Sequence, residues 1–227
     1  MPDAIRLLST LALKGAVERL AGQYQAVAGT TLDADFAPTV GLLKRLREGE
    51  VADVLILTRE GLSELVAKGT VAAASQVDLA RSYVGIAVKA GAPRPDISSE
   101  AALRKALLAA RSVAYSRIGA SGIYFAELIR RLGIAEEINA KATITAGFTA
   151  ERLVTGEADL AVQQISELMQ VAGNEVVGPI PYELQTAAVF TAGRMEASGK
   201  AVQADALLKY LASSDVALVL RDCGLDP

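Results

Sequence analysis

The chain has 227 residues, of which 52% are hydrophobic and 4% aromatic, and its net charge is −3 at pH 7. The small number of aromatic side chains and the absence of a basic run argue against nucleic acid as a partner. Histidine is absent, which excludes Ser-His and Cys-His catalysis and argues against a transition-metal site, so we predict no metal and no cofactor. Cys223 is the single cysteine, so no internal disulfide can form.

The apolar segments of the sequence indicate neither a membrane-spanning helix nor a secretory signal. No segment approaches the roughly 20 uninterrupted apolar residues of a membrane-spanning helix, so we do not expect a membrane-embedded protein. Residues 1–6 lead directly into the first predicted strand, without the apolar segment of a secretory signal. Two compartments stay open: the cytoplasm, or the periplasm if a signal peptide has been removed.

Strand-like and helical segments alternate along most of the chain, which favours an α/β protein built from parallel β-α-β units. In the first half, strands are predicted at residues 5–8, 31–36, 51–57, 82–89 and 112–115. Helices are predicted at residues 13–28, 42–48 and 59–68, and from Ser98 or Ser99 to about residue 110.

The second half continues the alternation. A helix is predicted to begin at Ser121 and Gly122 and to end at Gly133, where a left-handed cap costs a glycine little. Further strands are predicted at residues 140–146, 159–162, 175–181 and 184–192, and further helices at residues 148–156, 200–212 and 214–222.

Four predicted strands are followed by short polar segments that open helices. These segments are Ser9-Thr10, residues 37–41, the loop before Ser121-Gly122, and residues 163–166. Ligands of open α/β sheets collect beyond the carboxyl ends of the strands, and the free N–H groups at a helix start attract anions. If the four segments converge, the sequence predicts a pocket for a small anion.

Arg117 adds a permanent positive charge to one of these segments. Its planar guanidinium can hold a carboxylate through two parallel hydrogen bonds. An alternative stays open, in which Arg117 points to solvent or pairs with Glu127 on the following helix.

The order and spacing of these segments resemble the bacterial periplasmic solute-binding proteins of the molybdate-binding type, and the resemblance covers nearly the whole chain. The matching segments are Ser9-Thr10 after the opening strand and the segments at residues 36–41, 49–56, 121–128 and 156–162. Each segment is unspecific by itself, and the resemblance rests on their order.

The resemblance implies a type II periplasmic-binding-protein-like fold. Each of two α/β lobes would contain a mixed, mostly parallel sheet flanked by helices, with the ligand cleft between the lobes. Residues 1–81 with 191–227 would form the first lobe, and residues 82–190 the second, including the crossover strands. The implied function is capture of a small anion for a membrane transporter, and the implied partner is the permease of an ABC transporter.

Ligand contacts carried over from the family fall on Ser9 or Thr10, on Thr39, and on the loop around Ser121 and Gly122. Gln164 stands where the molybdate binders typically carry a tyrosine, and Arg117 stands where they usually have a proline. Because molybdate is held mainly by neutral donors in that family, the arginine favours an organic carboxylate.

An enzyme is the alternative reading, since aconitate isomerase is similar to this family and interconverts cis- and trans-aconitate by an allylic proton shift. Without histidine, the base would have to be a carboxylate, a tyrosine or a hydroxyl assisted by Arg117. Tyr124 and Tyr115 are the nearest candidates, and packing of both rings with their hydroxyls toward the cleft is the competing interpretation. A cytoplasmic sensor domain that uses the same cleft is a third possibility.

Overall fold

The protein is described here by a computed structural model that covers residues 4–227; Met1–Asp3, which begin the segment considered above for export, lie outside the described residues. Two compact units divide the chain: the first comprises Met1–Arg81 with Ala188–Pro227, and the second comprises Ser82–Ala187. Each unit contains one five-stranded sheet with helices packed on it. The chain thus has the mixed α/β architecture that the alternating pattern predicts.

Strands and helices are numbered in chain order over the described residues. The strands are β1 (Ile5–Ser9), β2 (Leu32–Phe36), β3 (Val54–Thr58), β4 (Val77–Ser82), β5 (Val84–Lys89), β6 (Val113–Tyr115), β7 (Ala142–Ile144), β8 (Leu160–Gln164), β9 (Asn174–Pro179) and β10 (Ala188–Arg194). The α-helices are α1 (Lys14–Ala28), α2 (Thr39–Arg47), α3 (Arg59–Ala67), α4 (Glu100–Ala109), α5 (Ala120–Arg131), α6 (Ala135–Ala140), α7 (Glu151–Val154), α8 (Ile165–Leu168), α9 (Ala201–Leu211) and α10 (Ala217–Asp222).

The sheet of the first unit has the strand order β2-β1-β3-β10-β4. Strand β1 lies parallel to both β2 and β3, and β10 lies antiparallel to β3. Strands β1 and β3 are nearly continuous apolar runs because the sheet buries them on both faces. The carboxyl ends of β1, β2 and β3 therefore share one edge of this sheet.

The sheet of the second unit has the order β7-β6-β8-β5-β9. Strand β6 lies parallel to β7 and β8, whereas β5 is antiparallel to β8 and β9. Helix α5 buries Phe125, Leu128 and Ile129 in the core of this unit. The helix ends as the sequence predicts, with Gly133 in the left-handed region at φ 65°. The carboxyl ends of β6, β7 and β8 again meet at one edge.

Several boundaries differ from the sequence predictions. Strand β4 and helix α6 were not anticipated; Asp78 and Arg81 interrupt the apolar run of β4, which obscures the strand. Helix α2 begins three residues earlier than predicted, directly after Pro38. Strand β8 extends through Gln163 and Gln164, whose polar side chains suggest a loop although both residues are buried.

Candidate functional site

Thr10 carries a buried hydroxyl group with no hydrogen-bond partner among residues 4–227. It follows β1, and only 3% of the residue is exposed. Its backbone is fully used, since its N–H donates to the Ile56 carbonyl at 2.9 Å and its carbonyl accepts from Leu13 at 3.2 Å. Ser9, fully buried, also donates its hydroxyl to that carbonyl at 3.2 Å. The Thr10 hydroxyl is therefore a donor that the protein itself does not satisfy.

Thr39 supplies a second hydroxyl at the same edge of the first sheet. It is the first residue of α2, and its Oγ1 accepts a hydrogen bond from the Thr58 N–H at 3.2 Å. That bond ties the start of α2 to the end of β3. Because a threonine hydroxyl can accept and donate together, the Thr39 proton is still available for an acceptor.

Ser116 shapes the loop that carries Arg117. It follows β6 and is buried, and its Oγ accepts from the N–H groups of Ile118 at 3.2 Å and Gly119 at 3.1 Å. These two bonds curl the backbone so that Arg117 stands on the outside of the turn. Ser116 was not predicted as a site residue; its signal in the sequence is a serine directly after an apolar strand and three residues before a glycine.

Arg117 is exposed, and no ion pair or hydrogen bond of its side chain is found within the described part of the chain. The alternative pairing with Glu127 does not occur, because Glu127 pairs with Arg130 one turn further along α5. The guanidinium is therefore free to bind an anion from solution.

Ser121 and Gly122 lie in the first turn of α5, and both are buried. A side chain at Gly122 is impossible without displacement, since an added Cβ would lie 1.6 Å from the Ser116 carbonyl oxygen. The helix has no side-chain cap, and the N–H groups of Gly122 and Ile123 both donate to the Gly119 carbonyl at 3.0 Å, which leaves those of Ala120 and Ser121 to water or to an anion. The glycine thus brings the helix start directly against the Arg117 loop.

Gln164 and Tyr124, also predicted to contact ligand, have partners inside the second unit. With its carboxamide nitrogen toward the Ser82–Tyr83 segment, Gln164 donates to the Ser82 hydroxyl at 3.1 Å and to the Ser82 and Tyr83 carbonyl groups at 3.3 and 3.2 Å. Tyr124 donates its hydroxyl to the Leu184 carbonyl at 3.1 Å, and burial raises its pKa to about 12.

Tyr115, the other tyrosine considered as a base, is 1% exposed and packs edge-on against Phe125. Its hydroxyl donates to the Asn139 side chain at 2.6 Å. Both tyrosine hydroxyls are therefore occupied by internal acceptors, and the raised pKa makes Tyr124 a poor base at neutral pH.

Glu167 is a buried carboxyl group that was not predicted from the sequence. It lies in α8, three residues after the end of β8, and is 9% exposed. Burial raises its pKa to about 8, although donors from the Gln163 side chain and the Gln164 backbone lower it in part. Within residues 4–227, no cluster of three or more His, Cys, Asp or Glu residues could hold a metal ion, and no helix has the length and apolar character of a membrane span.

Residues 5–226 match the family described as bacterial extracellular solute-binding protein. The chain is 37% identical over 230 residues to an aconitate isomerase from Pseudomonas sp., covering 98% of this chain and 87% of that protein.

Solved structures give the same fold. The periplasmic molybdate-binding protein of Azotobacter vinelandii superposes with a TM-score of 0.84 at 16% identity, over 98% of this chain and 99% of that one. A sulfate-binding protein of Mycobacterium tuberculosis superposes with a TM-score of 0.80 at 14% identity, over 99% and 87%. The family match over nearly all residues and the fold agree with the resemblance seen in the sequence, and the chain belongs to the bacterial extracellular solute-binding protein family.

Proposed function

We propose that this chain binds a small organic carboxylate, with Arg117 of the second unit as its charged contact. The observation that carries the proposal is the unpaired guanidinium of Arg117, held on a loop that Ser116 shapes at the start of α5. A carboxylate can accept two parallel hydrogen bonds from such a group, and the N–H groups of Ala120 and Ser121 at the helix start add two further donors.

The first unit supports the same proposal with neutral donors. Thr10 has a buried hydroxyl without a partner, and Thr39 has a hydroxyl proton left to donate. One cation with several neutral donors is compatible with micromolar affinity, about −8 kcal/mol.

The ligand class can be tested by a thermal-shift panel on the purified chain. Citrate, both aconitates and shorter dicarboxylates are compared with molybdate, tungstate, sulfate and phosphate. A ligand at about 100 times its dissociation constant adds about 2.7 kcal/mol of stability, which is readily visible. Stabilisation by carboxylates supports the proposal, and stabilisation by the tetrahedral anions alone refutes it.

Arg117→Ala is the decisive variant, and Arg130→Ala is its matched control. Both remove one arginine charge from the second unit, but Arg130 is paired with Glu127 at the other end of α5. Loss of a charge-assisted hydrogen bond costs roughly 1.5–3 kcal/mol, so we expect Arg117→Ala to weaken carboxylate binding at least about tenfold. Calorimetric titration of both variants would measure the difference, and equal affinities would remove Arg117 from the site.

A second candidate function is isomerisation of aconitate, and the specific observation in its favour is the 37% identity to an aconitate isomerase over 98% of this chain. The two candidates differ in what surrounds them: a transport protein would be exported and would deliver its ligand to the permease of an ABC transporter, whereas an isomerase needs neither. An assay of aconitate turnover separates them directly.

A further inference from the structure

A cavity of ligand size lies in the second unit, at the edge of the sheet opposite the Arg117 loop. Its volume is about 560 Å³, within the roughly 300–1,000 Å³ of small-molecule sites. Ala87 pairs with Ala161, so Val88 at the end of β5 lies level with Leu160 at the start of β8, and both line the cavity. Because β6 and β8 are parallel, this is their amino edge, whereas Arg117 follows the carboxyl end of β6.

The walls of this cavity are apolar and built largely from small side chains. The last turn of α4 contributes Ala106, Ala109 and Ala110, which share one helical face because they are three and four residues apart. The buried side chains of Leu153 and Leu160 line the cavity as well. The alanines leave space that larger side chains would fill, so a hydrocarbon body can lie between the helix and the strand ends.

Another wall is the segment after β5, which is held in place before any ligand binds. Pro93 and Pro95 line the cavity, and each proline ring fixes its own φ angle. Arg94 donates from Nη2 to the carbonyl groups of Val176 and Val177 at 3.1 and 2.8 Å, on the edge strand β9. The cavity is therefore already formed, and a ligand does not have to order this segment.

Two of the cations that line the cavity, Lys89 and Arg94, have no carboxylate partner among residues 4–227. Lys89 donates its ammonium group to the Val154 carbonyl at 3.1 Å, and Arg94 to the two carbonyl groups of β9. A third cation, Arg111, is neutralised by the Asp159 carboxylate through Nε at 3.1 Å and Nη2 at 2.5 Å. The lining therefore has an excess of positive charge, at fixed positions beside apolar walls.

We propose that this cavity binds a single-chain amphiphilic anion, such as a medium-chain alkyl carboxylate, at a site separate from the one proposed at Arg117. The alkyl chain lies against the alanines of α4 and against Leu153 and Leu160, which removes apolar surface from water. The carboxylate lies at the rim, where Lys89 and Arg94 donate charge-assisted hydrogen bonds to it. Citrate fits poorly, because the apolar walls would leave carboxylates without donors.

Calorimetric titration with octanoate, decanoate and decyltrimethylammonium, below their micelle-forming concentrations, tests this ligand class. Each buried methylene changes the affinity by about fourfold, so decanoate should bind roughly 15-fold more tightly than octanoate. Decyltrimethylammonium should bind at least about tenfold more weakly than decanoate, because Lys89 and Arg94 repel its cationic head. Since the chain has a net charge of −3, unspecific attraction would favour that cation instead. Equal affinities for the two chain lengths, or for the two heads, refute the proposal.

A double variant with Lys89→Gln and Arg94→Gln tests the charged rim. Its matched control carries Arg104→Gln and Lys105→Gln, which change an exposed arginine and an exposed lysine of α4 outside the lining. Glutamine keeps an N–H donor for the carbonyl partners, so the first variant should fold. We expect it to weaken decanoate binding at least about tenfold, and the control to stay within about twofold of wild type. Equal affinities of the two variants would remove both cations from the site.

The apolar wall is tested by Ala109→Phe, with Ala101→Phe as its control on the same helix. Both alanines are exposed, so both variants should fold, but only Ala109 lines the cavity. We expect the Ala109→Phe ring to occupy the space of the alkyl chain and to weaken decanoate binding at least about tenfold. If both variants bind decanoate as wild type does, the ligand lies elsewhere and the proposal is wrong.

Cross-titration separates this site from the one proposed at Arg117. Arg117→Ala should leave decanoate binding within about twofold of wild type, and the Lys89 and Arg94 double variant should leave citrate binding unchanged. If Arg117→Ala abolishes decanoate binding, decanoate occupies the Arg117 site and the second site is refuted. If citrate does not bind while decanoate behaves as expected, only the proposed function fails. If the chain sediments with phosphatidylglycerol vesicles but binds no free decanoate, the basic rim contacts a lipid surface and the present proposal fails.

Discussion

Replacing Thr10 by valine should stabilise the protein and weaken ligand binding at the same time. Valine has nearly the shape of threonine and lacks the hydroxyl that is buried without a partner. An unsatisfied buried hydroxyl costs roughly 1–3 kcal/mol, so its removal should return about 1 kcal/mol or more. In a chain of this size, that raises the melting temperature by ~2–4 °C for each kcal/mol.

The opposite sign is expected at Thr191, which makes Thr191→Val the matched control in the same unit. Thr191 is fully buried, and its hydroxyl donates to the Asp78 carboxylate at 2.6 Å. Losing a hydrogen bond to a charged acceptor costs about 1.5–3 kcal/mol, so this variant should melt at a lower temperature.

Thermal and denaturant unfolding without ligand, followed by calorimetric titration, would measure both effects. We expect Thr10→Val to weaken anion binding roughly 10- to 100-fold, because the lost bond is to a charged ligand. If Thr10→Val destabilises the chain as Thr191→Val does, the hydroxyl has a structural partner and our reasoning about it is refuted. Unchanged affinity would separately remove Thr10 from the site.

Two further perturbations test the second unit and the first helix. Gly122→Ala should lower the free energy of unfolding by about 1–3 kcal/mol and abolish binding, because the new Cβ would lie 1.6 Å from the Ser116 carbonyl oxygen. Gly22→Ala in α1 is the control: its Cβ meets no atom within 4 Å, so this variant should raise the free energy of unfolding by about 0.5–1 kcal/mol. Melting temperatures measured by circular dichroism should differ in sign from wild type, and equal shifts for the two variants would contradict the predicted clash at Gly122. Because burial raises the pKa of Glu167 from 4.5 to about 8, the folded state holds a proton that the unfolded state has released, so wild-type stability should fall between about pH 5 and 8 relative to Glu167→Gln. Parallel pH curves for the two proteins would show that this carboxyl titrates normally.

The general architecture could be predicted from the sequence because it depends on local patterns. Apolar runs such as those of β1 and β3 predict buried parallel strands, and Gly133 predicts the end of α5. The polar residues after the strands also predicted which edge of each sheet carries the donors. These features are encoded within a few neighbouring residues, so a single sequence shows them.

Strand β8 shows where such patterns fail. Gln163 and Gln164 are 3% exposed at its end, although glutamine usually indicates a surface. Their burial is tolerated because each carboxamide finds partners far along the chain: Thr149 for Gln163, and the Ser82–Tyr83 segment for Gln164. The sequence contains no sign of those pairings. It therefore predicted a helix-opening loop where the protein has the end of a strand.

Hydrogen-bond partners inside the protein distinguish the side chains that stabilise the strand ends from those that remain available to a ligand. Tyr124 and Gln164 have the chemistry of ligand contacts, but their donors are satisfied inside the second unit. Thr10 has a buried hydroxyl without a partner, and Arg117 has an exposed guanidinium that pairs with no group of the described residues. A satisfied buried donor gains little from a ligand and loses a partner in reaching it, whereas an unsatisfied buried donor gains the whole hydrogen bond and an exposed cation exchanges water for a charge-assisted one. The free energy of binding should therefore depend on Thr10 and Arg117 far more than on Gln164, although all three are ligand contacts predicted from the sequence.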